Sequence, residues 1–207
     1  MIKVWGRKNS SNVQKVMWAI GELGIAHERV DVGGPFGGNK DAPYLAMNPN
    51  GLIPTIQDGD LTLWESNAIV RYLAGSYGVG KLVAADLKKT ALCNQWMDWQ
   101  LSVVAPAITP AFLGLIRTPP EKRDAAAIAA SQAKTIEAMG MLEAELTKHS
   151  FLVGDNLSIA DIPVGIMVYR YWQLVPQHPA HPALKRWYAK LQSRAPFVTH
   201  VSGIALT

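Results

Sequence analysis

The sequence has little cysteine and little charge, and each scarcity excludes a class of protein. Its 207 residues contain one cysteine, Cys93, so neither an internal disulfide nor a Cys-x-x-Cys redox pair can form. Charged residues make up 17% and sum to a net charge of +4 without a basic run, which argues against nucleic-acid binding. The five histidines lack the spacing of metal ligands, so no metal site is predicted.

Long hydrophobic runs are also missing from the pattern. We find neither an apolar leader after Met1 nor an apolar span long enough to cross a bilayer. The expectation is a cytoplasmic protein that does not contact a membrane. Apolar residues make up 49% of the chain, which suits a globular protein, and the small positive charge suits an anionic small ligand.

The first part of the chain alternates strand and helix signals. A β-rich run, a helix with apolar residues at helical spacing and a second strand predict a right-handed βαβ unit. A short helix, a turn, a hairpin and a further helix follow. This order predicts a mixed four-stranded sheet with helices packed on it. The predicted segments are strands over 2–5, 27–32, 52–56 and 61–64, and helices over 12–23, 41–47 and 66–76.

The rest of the chain has only helical patterns. Residues 78–86 are rich in glycine and are predicted to be a linker between a first domain at 1–77 and a second at 87–207. Pro106 and Pro110 predict a kink or break in the first long helix of the second domain. The predicted helices of this domain cover residues 86–116, 121–149, 158–173 and 182–194.

Four segments together resemble the glutathione S-transferase family. SSNVQKV at 10–16 is similar to the Ser-x-Asn-x-x-Arg/Lys pattern of phi-class and nu-type bacterial members. NPNGLIP at 48–54 and LWESNAIVRYL at 63–73 resemble the segments that hold glutathione in that family. SIAD at 158–161 is similar to the capping box of its second domain. The order and spacing of these segments are more specific than any one of them.

The resemblance implies an α/β thioredoxin-like glutathione-binding domain followed by an all-α domain that forms the second-substrate pocket. It implies a homodimeric glutathione transferase that joins the thiolate to hydrophobic electrophiles, with peroxide reduction as an additional activity. Glutathione would be a co-substrate, and no bound cofactor is expected. Two alternatives stay open: a glutathione-dependent disulfide reductase, and a non-catalytic glutathione-binding or scaffold protein of the same fold.

Three neighbouring polar residues are candidates to activate the glutathione thiol. A free thiol has a pKa of about 8.5, and a hydrogen-bond donor near a helix N-terminus lowers it by stabilising the thiolate. Ser10, Ser11 and Asn12 all satisfy this requirement, and plain helix capping is the alternative for each. The resemblance ranks Ser10 first and Asn12 second, and leaves Ser11 as the expected cap.

A proline segment is expected to hold the middle of glutathione. The resemblance implies that Leu52, Ile53 and Pro54 form this segment with a cis Ile53–Pro54 bond. The backbone of Ile53 would then pair with the cysteinyl part of a bound peptide, as an added strand does. An ordinary proline at a strand edge is the alternative.

Charged and hydroxyl groups are expected to hold the ends of glutathione. The resemblance places Glu65 on its ammonium group, Ser66 on its γ-glutamyl carboxylate and Lys40 on its glycyl carboxylate. A helix N-terminus at Ser66 would assist carboxylate binding. A plain cap with an acidic neighbour and a solvated loop lysine are the alternatives.

Several aromatic residues are candidates for the wall of the second-substrate pocket or, equally, for the helical core. They are Trp96, Trp99, Phe112, Tyr169 and Trp172.

Overall fold

The fold combines a small sheet with a larger helical part, in the order that the sequence predicts. The computed structural model describes residues 1–83 and 85–207. The strands are β1 (Ile2–Trp5), β2 (His27–Val30), β3 (Thr55–Asp58) and β4 (Leu61–Trp64). The helices are α1 (Ser11–Leu23), α2 (Ala42–Met47), α3 (Ser66–Tyr77), α4 (Leu87–Arg117), α5 (Ala125–Leu146), α6 (Asp161–Leu174) and α7 (Pro182–Gln192).

The sheet has the predicted mixed topology. Its strand order is β2-β1-β3-β4, with β1 and β2 parallel and the other two pairs antiparallel. The parallel pair requires the crossover through α1, and the hairpin between β3 and β4 turns at Gly59, which has a φ of 60°. This arrangement brings the loop after β1, the start of β3 and the start of α3 to one end of the sheet.

Local chemistry sets most boundaries of these elements. Gly24 ends α1 in the left-handed conformation, and its N–H bonds back to the carbonyls of Gly21 and Ile20, as its type predicts. The third strand begins at Thr55 rather than at Leu52, because proline 54 has no N–H to donate to the ladder. Helix α5 begins at Ala125 rather than at residue 121, because the Asp124 carboxylate caps the helix by accepting from the Ala127 N–H.

Helix α4 contains the two prolines without being broken. It is α-helical at both sides of Pro106 and Pro110, with π-helical turns at Gln100–Val104 and Leu113–Arg117. A π turn absorbs an extra residue, so the helix accommodates carbonyls that have lost their usual donor. The helix is therefore continuous rather than broken, and two π-helical turns flank the α-helical segment that contains the prolines.

Helix α4 also corrects the expectation that no segment could span a membrane. By length and composition alone it is long and apolar enough, with a mean hydropathy of 1.5 over a stretch that is 22% buried. One such helix is weak evidence, because core helices of water-soluble proteins pass the same test. We therefore assign no membrane span to it.

Helix α6 lies at the centre of the second domain and is buried along most of its length. The Asp161 carboxylate at its start accepts from the N–H groups of Leu152 and Ser158 at 3.0 and 2.8 Å, and from the indole of Trp187 at 2.9 Å. The Ser158 hydroxyl donates to the same carboxylate at 2.9 Å. Only half of the predicted capping box is present, because the Asp161 carboxylate accepts from the Ser158 N–H but the Ser158 hydroxyl does not accept from the Asp161 N–H. The helix therefore begins at Asp161, with Ala160 at the cap position, rather than at Ser158. The bond from Trp187 also ties α7 to the start of α6.

The two parts of the chain pack closely against each other. Trp18 of α1 is fully buried, and its indole donates to Glu22 at 2.8 Å. The Glu22 carboxylate also accepts two bonds from Arg194, at 2.8 and 2.6 Å. Gly165 of α6 allows this approach, since a Cβ there would lie 3.0 Å from the Trp18 ring. The position of α1 is therefore fixed by contacts from both domains.

Candidate active site

The loop between β1 and α1 presents two free hydroxyl groups. Ser10 occupies the cap position of α1, but its side chain makes no capping bond, and Ser11 is the first helical residue. Ser11 was expected to be the cap, and that expectation is wrong. Neither hydroxyl has a partner among the described residues, and both side chains line a cavity of about 200 Å³. Both hydroxyls are therefore available to a ligand.

Gly6 permits the close approach of this loop to α1. Its φ is 150°, and a Cβ there would lie 2.4 Å from Val13. A side chain at this position would push the start of α1 away from the end of β1. The loop and the free hydroxyls of Ser10 and Ser11 are thus held close to the end of the sheet.

Asn12 lies in a different polar group from the two serines. The Ser66 hydroxyl at the start of α3 donates to the Asn12 Oδ1 at 3.2 Å and accepts from the Lys15 Nζ at 3.4 Å. This Lys15–Ser66–Asn12 chain joins residues that are more than 50 positions apart in sequence. The structure therefore associates Asn12 with Ser66 rather than with the cavity that Ser10 lines.

Lys15 is a buried amine that sequence reasoning did not select. Its side chain is fully buried, and burial lowers its pKa from 10.5 to about 7. The neighbouring Glu65 carboxylate opposes this change, and Arg170 adds to it. The available signal was its place at the last position of the Ser-x-Asn-x-x-Arg/Lys pattern, and the structure buries it with the rest of residues 13–20. A buried amine near neutrality responds strongly to a nearby anion.

Glu65 adopts a backbone conformation that is rare for its type. Its φ is 71°, and it occupies the cap position of α3, so Ser66 is the first helical residue rather than the cap. The Glu65 carboxylate is exposed and has no hydrogen bond or ion pair to any described residue. Positive φ at a non-glycine residue costs free energy and is concentrated at functional sites. The strain directs a free carboxylate toward the start of α3.

The proline segment has the expected bond and a free backbone. The Ile53–Pro54 bond is cis, as predicted. The Leu52 carbonyl accepts from the Tyr44 hydroxyl at 2.7 Å and from Asn48 Nδ2 at 2.8 Å, which fixes the segment. Within the described residues, the N–H and C=O of Ile53 have no hydrogen-bond partner. They remain available to an extended ligand.

Lys40 lies beside the turn that precedes the proline segment. Its amine donates to the Asn50 carbonyl at 3.1 Å, and Asn39 donates to the Gly51 carbonyl at 2.8 Å. Both bonds hold the predicted turn at 48–51, in which the Gly51 N–H bonds to Asn48. The Lys40 side chain is exposed and keeps donor capacity for a carboxylate.

The aromatic candidates separate into one that lines the cavity and others that pack elsewhere. The Phe112 ring lines the cavity beside Ser10 and Ser11. Trp96 and Trp99 contact each other edge-to-face with centroids 5.1 Å apart. Tyr169 is mostly buried and donates to the Ile204 carbonyl at 2.8 Å. Trp172 packs against Tyr171 in the core.

Sequence reasoning missed three arginines that line the same cavity: Arg7, Arg117 and Arg170. They come from the loop after β1, the end of α4 and the buried face of α6. Nothing local in the sequence distinguishes them from other scattered arginines.

The described residues offer no metal site. They contain no group of three or more His, Cys, Asp or Glu side chains that could hold an ion. Cys93 is buried, and burial raises the pKa of its thiol, so it is a poor nucleophile.

Two family models match most of this chain. Residues 1–75 match the model described as glutathione S-transferase, N-terminal domain. Residues 103–195 match the model described as glutathione S-transferase, C-terminal domain. The two matches cover the sheet that carries the candidate site and most of the helical part.

Curated relatives carry the same family name. The chain is 43% identical to glutathione S-transferase GstB of Escherichia coli over 196 residues, with 94% of each chain covered. It is 31% identical to the probable glutathione S-transferase GSTF2 of Oryza sativa, covering 93% of this chain and 92% of the relative. Plant phi-class members are thus among the relatives, as the SSNVQKV segment predicts.

Solved structures show the same fold. A theta-class glutathione S-transferase from Xanthomonas axonopodis pv. citri with glutathione bound superimposes with a TM-score of 0.95 at 43% identity. The match covers 100% of this chain and 99% of that one. Glutathione transferase F7 from Populus trichocarpa matches with a TM-score of 0.87 at 27% identity, over 99% of this chain and all of that one.

Proposed function

The chain belongs to the glutathione S-transferase family, and from that premise we propose how its own residues hold glutathione and activate the thiol. It is a transferase that joins the sulfur of glutathione to an electrophilic substrate, and glutathione is its co-substrate. The fold is the thioredoxin-like sheet followed by the helical domain. The site roles described below are our assignments.

We assign the γ-glutamyl end of glutathione to the start of α3. The Ser66 N–H would donate to its carboxylate, assisted by the partial positive charge of the helix N-terminus. The Ser66 hydroxyl would turn its single proton from the Asn12 Oδ1 to the same carboxylate when glutathione binds. The free Glu65 carboxylate would accept from its ammonium group. The observation that carries this assignment is the buried Lys15–Ser66–Asn12 chain, because it holds the Ser66 side chain in place and puts an amine behind it that an anion would help to protonate.

The other groups of glutathione have candidate partners along the same edge. The unpaired N–H and C=O of Ile53 would bond the cysteinyl residue, as a paired strand does. Lys40 would hold the glycyl carboxylate from its exposed position. This order places the sulfur between Ile53 and the loop that carries Ser10.

Activation of the thiol is assigned to Ser10. Its free hydroxyl would donate to the thiolate, and the N-terminus of α1 would favour the anion further. Lowering the thiol pKa by about 2 requires about 2.7 kcal/mol of preference for the anion, which one charge-assisted bond and a helix end supply together. Asn12 is the second choice and Ser11 the third, and Asn12 accepts a hydrogen bond from Ser66, which we assign to the γ-glutamyl end of the ligand.

Calorimetric titration with glutathione tests the assignment of the γ-glutamyl end. Ser66→Ala and Glu65→Gln should each weaken binding by roughly 1–3 kcal/mol, the effect of losing one charge-assisted bond. Lys40→Ala should cost less and lose its effect at high salt, because the amine is exposed.

Asp60→Asn provides the matched control. It removes an exposed carboxylate from the hairpin of the same sheet and should leave the affinity unchanged. Affinities equal to wild type in both the Ser66 and Glu65 variants would show that glutathione lies elsewhere.

We further propose that the enzyme is a cytoplasmic homodimer. Large apolar side chains lie exposed on both parts of the chain, including Phe36 and Leu52 on the first and Leu101, Val103 and Met141 on α4 and α5. A partner that buries such side chains would be stabilised by the hydrophobic effect. The use of reduced glutathione and the free thiol of Cys93 both suit a reducing compartment.

A further inference from the structure

The cavity beside Ser10 is surrounded by cations. Arg7, Arg117 and Arg170 line it together with Phe112, and its volume is about 200 Å³. The part of its wall that the structure describes contains no aspartate or glutamate. Three guanidinium groups therefore face one small space without an opposing charge.

Arg170 is the most unusual of the three. Its side chain is 7% exposed, and among the described residues it has neither a hydrogen bond nor an ion pair. Burial, together with the nearby charges of Arg117 and Arg7, lowers its pKa to about 10, so it stays charged at neutral pH. A buried cation without a counter-ion is costly, so it is rarely retained without a partner.

Arg7, like Arg170, lines the cavity with a buried guanidinium nitrogen that has no hydrogen-bond partner in the described part of the chain. Its Nε is buried without a partner, while one terminal nitrogen donates to Asn9 at 2.6 Å. Burial and the charge of Arg117 both lower its pKa. Repulsion among the three groups means that any anion entering the cavity would be bound more strongly than by one arginine alone.

Phe112 and Leu113 form the apolar part of the cavity lining, beside the polar residues Asn9, Ser10, Ser11 and Thr109. The guanidinium carbon of Arg170 lies 4.4 Å from the centroid of the Phe112 ring, and that of Arg117 lies 5.6 Å from it. These stacking contacts hold the planar groups in place. Together with Leu113, the ring leaves room for a compact apolar body beside the charged groups.

We propose that the electrophile taken by this enzyme carries a carboxylate or similar anionic group, which Arg170, Arg117 and Arg7 bind while its apolar body lies against Phe112. The inference rests on the proposed function, since it names the second substrate of that site. Ser10 and Ser11 line the same cavity, so an electrophile bound there lies next to the thiolate. The substrate would therefore combine the hydrophobic body that the family resemblance implies with an anionic group.

The reaction needs no further reagent. Glutathione loses its thiol proton to solvent and attacks a carbon that bears a halide. The carbon–sulfur bond forms as the carbon–halogen bond breaks, and the halide leaves with the electron pair. The anionic group of the substrate is unchanged throughout, so the arginines act by binding and orientation.

A pair of aryl halides tests the inference. The probes are 4-chloro-3-nitrobenzoate and its neutral carboxamide, which share the ring and the leaving group. Wild-type enzyme should prefer the carboxylate by roughly tenfold or more in kcat/KM, the effect of one charge-assisted interaction. Arg170→Met and Arg117→Gln should each remove most of that preference, mainly by raising KM for the carboxylate.

Lys8→Gln is the matched control, because it removes an exposed charge from the same loop without lining the cavity. It should keep the preference for the carboxylate. If Arg170→Met folds poorly, as circular dichroism would show, Arg117→Gln on the exposed rim tests the same point.

The outcomes separate this inference from the proposed function. Turnover of the carboxamide without any preference for the carboxylate would overturn the inference alone. Equal losses for both electrophiles in the arginine variants would also overturn it and assign the arginines to the thiolate. Failure of wild-type enzyme to use either electrophile with glutathione would overturn the proposed function itself.

Discussion

Lys15 leads to a prediction about pH, stability and glutathione binding together. Its amine is fully buried, and its one hydrogen bond among the described residues is the 3.4 Å contact to Ser66. A pKa lowered from 10.5 to about 7 corresponds to about 5 kcal/mol for holding the charged amine in the fold, as an upper limit. Lys15→Met keeps an unbranched chain of similar length and removes this cost.

The sign of the pH dependence follows from proton counts. Between pH 7 and 10.5 the unfolded chain holds the Lys15 proton and the folded chain has released it, so the stability of wild type rises with pH. The Met variant lacks this dependence. Its advantage in free energy of unfolding should therefore be largest near pH 6, on the order of 2–5 kcal/mol, and should vanish toward pH 10.

Urea unfolding of both proteins at pH 6, 8 and 10 measures this difference. Lys134→Met, which removes an exposed lysine from α5, should show no such trend. A difference between Lys15→Met and wild type that stays constant from pH 6 to 10 would refute the reasoning. It would mean that Lys15 titrates near its ordinary value in the folded protein.

The same amine should couple proton uptake to glutathione binding. An anion held by Ser66 would raise the pKa of Lys15, so binding should take up a proton above pH 7 and weaken as the pH increases. Calorimetry in two buffers of different ionisation enthalpy measures the uptake. Lys15→Met should bind glutathione more weakly and show less uptake than wild type.

Three further predictions concern the core, the thiol and the assembly. Asp161→Ala leaves four buried donors without their acceptor, so it should lower the free energy of unfolding by roughly 3–5 kcal/mol. It should change the affinity for glutathione little. The control Asp155→Ala, which removes an exposed carboxylate, should change neither quantity. Ser10→Ala should raise the pKa of bound glutathione, followed by thiolate absorbance, by about 1 or more; an unchanged value would move the role to Ser11 or Asn12. Light scattering should give about twice 22.6 kDa, and Val103→Glu should lower that mass; a wild-type monomer at micromolar concentration would contradict the dimer.

Much of the first domain could be predicted because its signals are local. Gly24 ends α1, and the turn at 58–61 joins β3 to β4, where the sequence indicates. Both depend on backbone conformations that few residue types accept. Errors arose where the chemistry of one residue interrupts a pattern, as Pro54 does before β3, or where two helical geometries compete, as in the π turns of α4.

The candidate site was predictable in part. The residue types at 10–12 indicate a hydrogen-bond donor to the glutathione thiolate, and those at 65–66 indicate groups that bind its γ-glutamyl end. The structure brings these two segments together through the bond between Ser66 and Asn12. The pattern did not separate Ser10 from Ser11, since capping and ligand binding require the same hydroxyl at the same helix end. The pattern also did not predict that Lys15 is buried or that it has a role in the site, because a lysine in a helix is usually exposed.

By itself, the sequence determined the order of elements, the turns and the family, because these depend on periodicity and on motifs within short segments. Only the tertiary structure decided the electrostatics. It buried Lys15 behind Ser66, and it brought Arg7, Arg117 and Arg170 to one cavity from positions that lie far apart in the chain. The physical reason is that the energy of a charge depends on solvent exposure and on neighbours in space, and neither quantity is encoded by local spacing.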